Sequence, residues 1–449
     1  MISILMKILQ VILALSVLIV IHELGHFTFA RIFGIKVDKF FLFFDAGGVK
    51  LFSTRTSRWF TKLFPKMKDA DTEYGIGWLP IGGYCKINGM IDESLDMDSL
   101  KKEPQPWEFR SKPAWQRALV MAGGVLFNFI FAIVVYISML SIWGNDYLSN
   151  KDNRIYVNDL AYEMGFRTGD RILRFDDYVP EDFSMLQADL ARRSVKTATV
   201  LRGRDTVTLY IDHSLIGNVL QSPGMFSVAV PFAVDSVAAG SVNAGSGLRH
   251  GDVVIRIDST DVGYVQDAWK VLSDNAGKRI EAEVVRGNDT LVMPLQVDTA
   301  GRLGVVLQIP GMQKRTYTVA QAIPAGIKYT WDMVTGYVRD LKLVATPSTG
   351  AYKSVGSFIA IGQVFPSHWN WLIFMNLLAL LSIMLGVMNL IPIPGLDGGH
   401  LLFLIYEMIS GHKPGDRFMV AAQVAGMFLL LLIMVLAFGN DIGRLMGMR

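Results

Sequence analysis

Charge is missing from this chain over several long stretches. No Asp, Glu, Lys or Arg occurs from Ala118 to Gly144, from Phe418 to Phe438, or across the 43 residues from Ser354 to Leu396. An uncharged apolar run of about 20 residues is long enough to cross a hydrocarbon core. Cysteine is nearly absent too. The lone Cys85 excludes an internal disulfide framework. Excess charge of either sign is also lacking: a formal net charge of +3 gives no basis for nucleic-acid binding. What is present is apolar, 51% of 449 residues, which points to a membrane-resident chain.

Four spans are expected, in stretches beginning at Ile8, Ala118, Ser354 and Phe418. Within the third, the span is placed near Trp371 to Ile391, preceded by a segment with Trp369 and Trp371 as interfacial anchors. The first stretch has no small-residue cleavage site after it and is followed by Arg31, so it reads as a retained helix. Between the first two spans Lys and Arg recur, as in Lys36, Lys39, Lys50, Arg55, Arg58 and Lys62. The positive-inside rule puts that loop in the cytoplasm and the large middle region outside.

The middle region, charged and Gly-punctuated, repeats itself. Gly165 to Asp176 (GFRTGDRILRFD) matches Gly247 to Asp258 (GLRHGDVVIRID). Downstream, Arg202-Gly203-Arg204-Asp205-Thr206 parallels Arg286-Gly287-Asn288-Asp289-Thr290. Two copies of a small β-rich domain are expected, and each Gly-x-x-x-Gly-Asp followed by an alternating strand resembles the PDZ domain. Residues 36 to 90 alternate β-formers with glycines and are expected to form hairpins that associate with the membrane. The stretch from Thr316 to Ser348 reads as an amphipathic helix on the outer surface.

The expected organisation is a multi-domain integral membrane protein with a four-helix α core. Residues 1–35 hold the first transmembrane helix, 36–115 a cytoplasmic β-hairpin region, and 116–145 the second helix. The PDZ-like domains follow at 150–226 and 227–312, then an interfacial segment at 313–368, the third helix at 369–400, and a linker with the fourth helix at 401–449.

His22-Glu23-Leu24-Gly25-His26 is an H-E-x-x-H pattern inside a spanning helix. Four residues apart, His22 and His26 share a face and can ligate one Zn²⁺, with Glu23 beside them as general base. Two histidines and a carboxylate in a span are costly unless they pair with something, and zinc satisfies them. A third ligand is needed. Asp397 ends the long uncharged run near the end of the third span, which runs parallel to the first. It is the best-placed carboxylate, with helix capping as its other reading. His400, one turn on, suits a supporting contact. Asn389 and Asn128 are polar residues within spans, suited to holding substrate backbone or to bridging helices.

These residues, with Leu396-Asp397-Gly398 and an insert resembling two PDZ domains, resemble the site-2 protease family over nearly the whole chain. That resemblance implies zinc held by His22, His26 and Asp397, water activated by Glu23, and a β-rich element containing Gly48, Gly82 and Gly83 that, with Asn389, binds unwound substrate. It implies single-span membrane protein substrates, such as anti-sigma factors already cut by an upstream site-1 protease and remnant signal peptides. It also implies a bacterial inner-membrane location, with the active site towards the cytoplasm and the PDZ-like pair outside as a size filter. Two departures, at Gly123-Gly124 before Asn128 and at Gly356-Ser357-Phe358, bear on helix packing and gating. A proton- or ion-conducting membrane protein and a non-catalytic PDZ scaffold are the alternatives.

Overall fold

The computed structural model describes residues 2–446 apart from 68–69, 81, 91–102, 220–221, 223, 239, 309–310, 312, 347–351 and 353–354. Parts of the regions expected at 36–115, 150–226, 227–312 and 313–368 therefore lie outside the described residues. The chain divides into two compact units. One comprises Met1–Gly144, Thr316–Val344 and Lys353–Arg449, the other Asn145–Arg315 and Ala345–Tyr352.

The first unit holds helices α1 (Ile2–Ile32), α2 (Arg58–Leu63), α3 (Ala114–Ile142), α4 (Val319–Val344), α5 (Phe358–Val364), α6 (Trp371–Leu390), α7 (Asp397–Ser410) and α8 (Asp416–Leu445). Four stretches, Ser3–Ile32, Ala114–Ile142, Trp371–Leu390 and Arg417–Gly443, are long and apolar enough to cross a membrane. At the centre is α3, packed against α1, α4, α6 and α7. Its contact with α1 depends on glycine: a Cβ at Gly25 would run into the backbone of Gly123, and one at Gly123 would stand 2.7 Å from the carbonyl oxygen of Gly25. Small residues let helix backbones approach this closely in a membrane. Further along, Ala132, Val135, Tyr136 and Met139 of α3 pack with Ala379, Ile383 and Val387 of α6.

The span expected near Trp371 to Ile391 forms as α6 (Trp371–Leu390), and the segment up to residue 400 does not continue it as one helix. Pro392 and Pro394 remove backbone donors, α6 stops at Leu390, and α7 starts afresh at Asp397. The helix expected within Thr316 to Ser348 forms as α4, which packs one side against α3. Ala322, Gly326 and Thr330 are buried, with a Cβ at Gly326 falling 2.6 Å from Ile137 of α3, while Val319, Ile323, Ile327 and Trp331 form an exposed apolar stripe.

The region after α1 forms a sheet of β1 (Val37–Leu42), β2 (Lys50–Ser53), β3 (Glu73–Gly77) and β4 (Tyr84–Ile87), ordered β2-β3-β1-β4. Simple hairpins were expected, but β1 and β3 run parallel. β2 makes this possible: it runs back antiparallel to β3 and lies on the far side of it from β1, so β3 enters between them in the direction of β1, with α2 and the turn Pro65–Met67 joining β2 to β3. β1 and β4 pack on α1, and β4 is an edge strand.

The second unit contains a three-stranded antiparallel sheet of β5 (Arg171–Phe175), β6 (Thr197–Arg202) and β7 (Asp205–Tyr210). It also contains a four-stranded sheet ordered β9-β8-β10-β11, from β8 (Val253–Ile257), β9 (Thr260–Asp261), β10 (Arg279–Arg286) and β11 (Asp289–Gln296). The repeated sequence makes the same network twice. Arg202 donates to both Asp170 oxygens at 2.9 and 2.8 Å and to the Gly165 carbonyl. Arg286 donates to both Asp252 oxygens at 2.7 Å and to the Gly247 carbonyl. Gly165, Gly169, Gly247 and Gly251 all have φ between 85 and 95°, so each copy needs glycine at both turns.

Candidate metal centre

α1 carries His22 and His26 one turn apart towards its C-terminal end, both buried. α7 brings Asp397 to them because its start is folded tightly back. Gly398 and Gly399 lie against the carbonyls of the 390–393 segment, where any side chain would collide, and Gly395 has a φ of 101°. On the other side Gly426 of α8 presses on the Pro394 carbonyl. Asp397 is the first residue of α7 and Leu396 holds the cap position, so its carboxylate is turned to the histidines rather than to backbone N–H groups.

Three atoms converge. His22 Nε2 is 3.1 Å from Asp397 Oδ2, His26 Nε2 is 3.4 Å from the same oxygen, and the two nitrogens are 3.2 Å apart. Ligands of a tetrahedral zinc at about 2.0–2.1 Å stand about 3.3–3.4 Å from one another. Nitrogen, nitrogen and oxygen at these separations fit a zinc ligand set. Among the described residues this is the one cluster of three or more His, Cys, Asp or Glu donors close enough to share an ion.

The surrounding groups set the ring orientations. His26 Nδ1 is 2.9 Å from the carbonyl oxygen of Val120. A carbonyl only accepts, so Nδ1 carries the proton and Nε2 keeps its lone pair for the centre. His22 Nδ1 lies 3.0 Å from the side-chain amide of Asn128, and Asn389 Nδ2 lies 3.3 Å from His22 Nε2. Gly124 of α3 faces the two rings. A Cβ there would sit 2.6 Å from His22 Cε1 and from His26 Nε2.

The centre opens on a cavity of about 680 Å³ lined by His22, Glu23, His26, Asn389, Asp397 and His400, and by Gly82, Gly83 and β4. Glu23 and His400 therefore share the cavity without being among the three converging donors. Gly82 and Gly83 border it, with Gly83 held against Ile19 and the Phe41 carbonyl. Gly48 does not. It is exposed, with φ 76° in the turn Ala46–Gly48. At the rim, burial would raise Asp45, but Lys39 at 2.9 Å and the Tyr84 hydroxyl at 2.8 Å donate to it and hold its carboxyl below the usual range. Burial pushes the Cys85 thiol well above its usual value, and Cys85 is not among the converging donors.

Reasoning from sequence picked out His22, Glu23, His26, Asn389 and Asp397 as site residues but missed Gly124. The signal was a Gly-Gly pair in a span otherwise built of larger residues. For Asn128 helix bridging was as good a reading as substrate binding, and its amide is in fact against a candidate ligand.

Comparison with known proteins agrees with this chemistry. The chain is 29% identical over 471 residues to the "Regulator of sigma E protease" of Salmonella typhi, covering 99% of this chain and 100% of the relative. It is 29% identical over 476 residues, with the same coverage, to the "Regulator of sigma-E protease RseP" of Escherichia coli (strain K12). It is 28% identical over 459 residues to a "Putative zinc metalloprotease" of Xylella fastidiosa, covering 96% of this chain and 97% of the relative. The family description "Peptidase family M50" matches residues 10–433, and the chain belongs to that family.

Proposed function

We propose that this protein is an intramembrane zinc metalloprotease of the site-2 type that hydrolyses transmembrane segments of single-span membrane proteins. The observation that carries this is the convergence of His22, His26 and Asp397 donors within 3.4 Å of one another, beside Glu23, in a bundle of apolar helices. When bound there, zinc supplies Lewis acidity that polarises the scissile carbonyl and makes water acidic enough to attack near neutral pH. Glu23 takes the proton of the attacking water and passes it to the leaving amine. Asn389 donates its amide to the substrate backbone at the mouth of the centre.

A helical substrate hides its carbonyls in its own hydrogen bonds, so it must be unwound before attack. β4 provides the means. It pairs only with β1 among the described residues, and its residues and Gly82-Gly83 line the cavity. An extended substrate segment adds to that edge as a further strand, gaining main-chain hydrogen bonds in place of its lost helical ones.

In this reading residues 150–226 and 227–312 are two PDZ-like domains on the outer face of a bacterial inner membrane. They exclude substrates with intact ectodomains, while cutting takes place near the cytoplasmic side. The Salmonella and Escherichia coli relatives bear names as regulators of sigma-E. An anti-sigma factor already shortened by a site-1 protease is accordingly the substrate class proposed, with remnant signal peptides as a second. The test is mass spectrometry of membrane-segment fragments in cells expressing the chain or its Glu23→Gln variant. Fragments seen only with the intact chain support the assignment. Identical fragment sets contradict it and favour the proton-conducting or scaffold readings.

A further inference from the structure

Asn128 is completely buried in the middle of α3, and its backbone carbonyl accepts a hydrogen bond from Ser382 Oγ of α6 at 2.9 Å. Its side chain is confined as well. A Cβ on Gly386 would stand 3.4 Å from the Asn128 Cβ, so α6 leaves it little room to move. The amide as placed turns Nδ2 to His22 Nδ1 at 3.0 Å and leaves Oδ1 without a hydrogen-bond partner among the described residues.

That arrangement conflicts with the metal centre. If Nδ2 donates to His22 Nδ1, the ring proton must be on Nε2, the atom facing Asp397 and His26. A protonated nitrogen has no lone pair to give a metal. The neighbouring ligand shows the opposite pattern, because Val120 O accepts from His26 Nδ1 and leaves Nε2 open. An amide's oxygen and nitrogen exchange places by a half-turn that preserves its shape. That half-turn gives the orphaned Oδ1 a donor and puts the His22 proton on Nδ1.

We propose that Asn128 is a positioning residue for the metal centre: its Oδ1 accepts the Nδ1–H of His22 and fixes the tautomer whose Nε2 faces Asp397. Both histidines are then oriented from α3, one by the Val120 carbonyl and one by the Asn128 side chain. Through Ser382 the same residue ties that orientation to α6. Outer partners of this kind raise the basicity of the ligand as well as aiming it, and their removal costs about 10–100-fold in metal affinity. The proposal rests on the zinc protease reading above.

The experiment is competition between purified full-length protein and a zinc chelator, with the thermal midpoint of each metal-free form measured alongside. Asn128→Ala should weaken zinc binding by about 10–100-fold. Asn128→Asp keeps an oxygen acceptor in the same volume, and should hold zinc as tightly as wild type or more so. A loss of packing alone would lower the metal-free midpoint and would not be reversed by a carboxylate. Should Asn128→Ala fail to fold, the Asp variant still decides, because a donor role for the amide predicts that Asp weakens zinc at least as much as Ala would. Weak binding by Asn128→Asp, or wild-type binding by Asn128→Ala, overturns the proposal while leaving the protease reading intact. A wild-type protein that holds no stoichiometric zinc overturns both.

Discussion

Replacing Gly124 with alanine should empty the metal centre while leaving the helices assembled. The added methyl would lie 2.6 Å from His22 Cε1 and His26 Nε2 and 2.8 Å from His22 Nδ1. Carbon atoms in contact settle at about 3.5–4.0 Å, so the overlap is about 1 Å against two rings at once. Neither ring can retreat freely, because His26 is held by Val120 O and α1 is pinned to α3 at Gly25 and Gly123. Metal–ligand distances tolerate only about 0.2 Å of error. A shift several times larger should weaken zinc by at least the 10–100-fold that follows loss of an outer partner. Overpacking of this size costs about 1–3 kcal/mol, within what a large helical bundle survives. The assay is zinc content of purified protein by plasma mass spectrometry, with a chelator titration and a thermal unfolding curve. A Gly124→Ala protein that keeps one zinc per chain and cuts at the wild-type rate would refute the packing argument.

Three further outcomes follow from the same geometry. Gly83→Val places atoms against Ile19 and 2.7 Å from the Phe41 carbonyl, displacing β4, and should lower kcat/KM with zinc content unchanged; unchanged kinetics would remove β4 from substrate binding. In the second unit, hydrogen bonds from Arg286 hold Asp252 below the usual carboxylate range. Its contribution to stability is therefore present above about pH 3.9 and lost as pH falls through the lower folded-state value. Hydrogen exchange in residues 253–296 of the full chain should accelerate below pH 4, and Asp252→Asn should produce that loosening at neutral pH, at a cost of about 1–3 kcal/mol. Finally, substrates with helix-breaking residues in their membrane segment should be cut faster than strongly helical ones, and equal rates in a reconstituted assay would exclude unwinding as a requirement.

Much of the site could be read from the sequence because it is written in short-range spacing and in the cost of charge. His22 and His26 are one helical turn apart by count alone, and Asp397 is conspicuous after 43 uncharged residues. The repeat around Asp170 and Asp252 was legible for the same reason, since a Gly-x-x-x-Gly-Asp turn and its arginine recur at nearly fixed offsets. What stayed hidden depends on which faces meet. Gly124 and Asn128 acquire meaning only once α3 lies against α1, and no spacing rule gives that rotation. The parallel β1–β3 pairing was hidden because β2 follows β1 in sequence yet pairs with β3, leaving β3 to insert between them, and local alternation does not reveal that order. Gly48 lies outside the cavity lining, and a glycine with a positive φ looks the same in sequence as one that admits a substrate.

The most direct test of the central claim is zinc stoichiometry measured beside cleavage of a single-span substrate by purified full-length protein, wild type and Glu23→Gln. Glu23 lines the cavity but is not among the three converging donors. The expected result is one zinc per chain in both proteins and cleavage by wild type alone. Cleavage by Glu23→Gln, or cleavage by a wild-type protein from which zinc has been stripped, would contradict it.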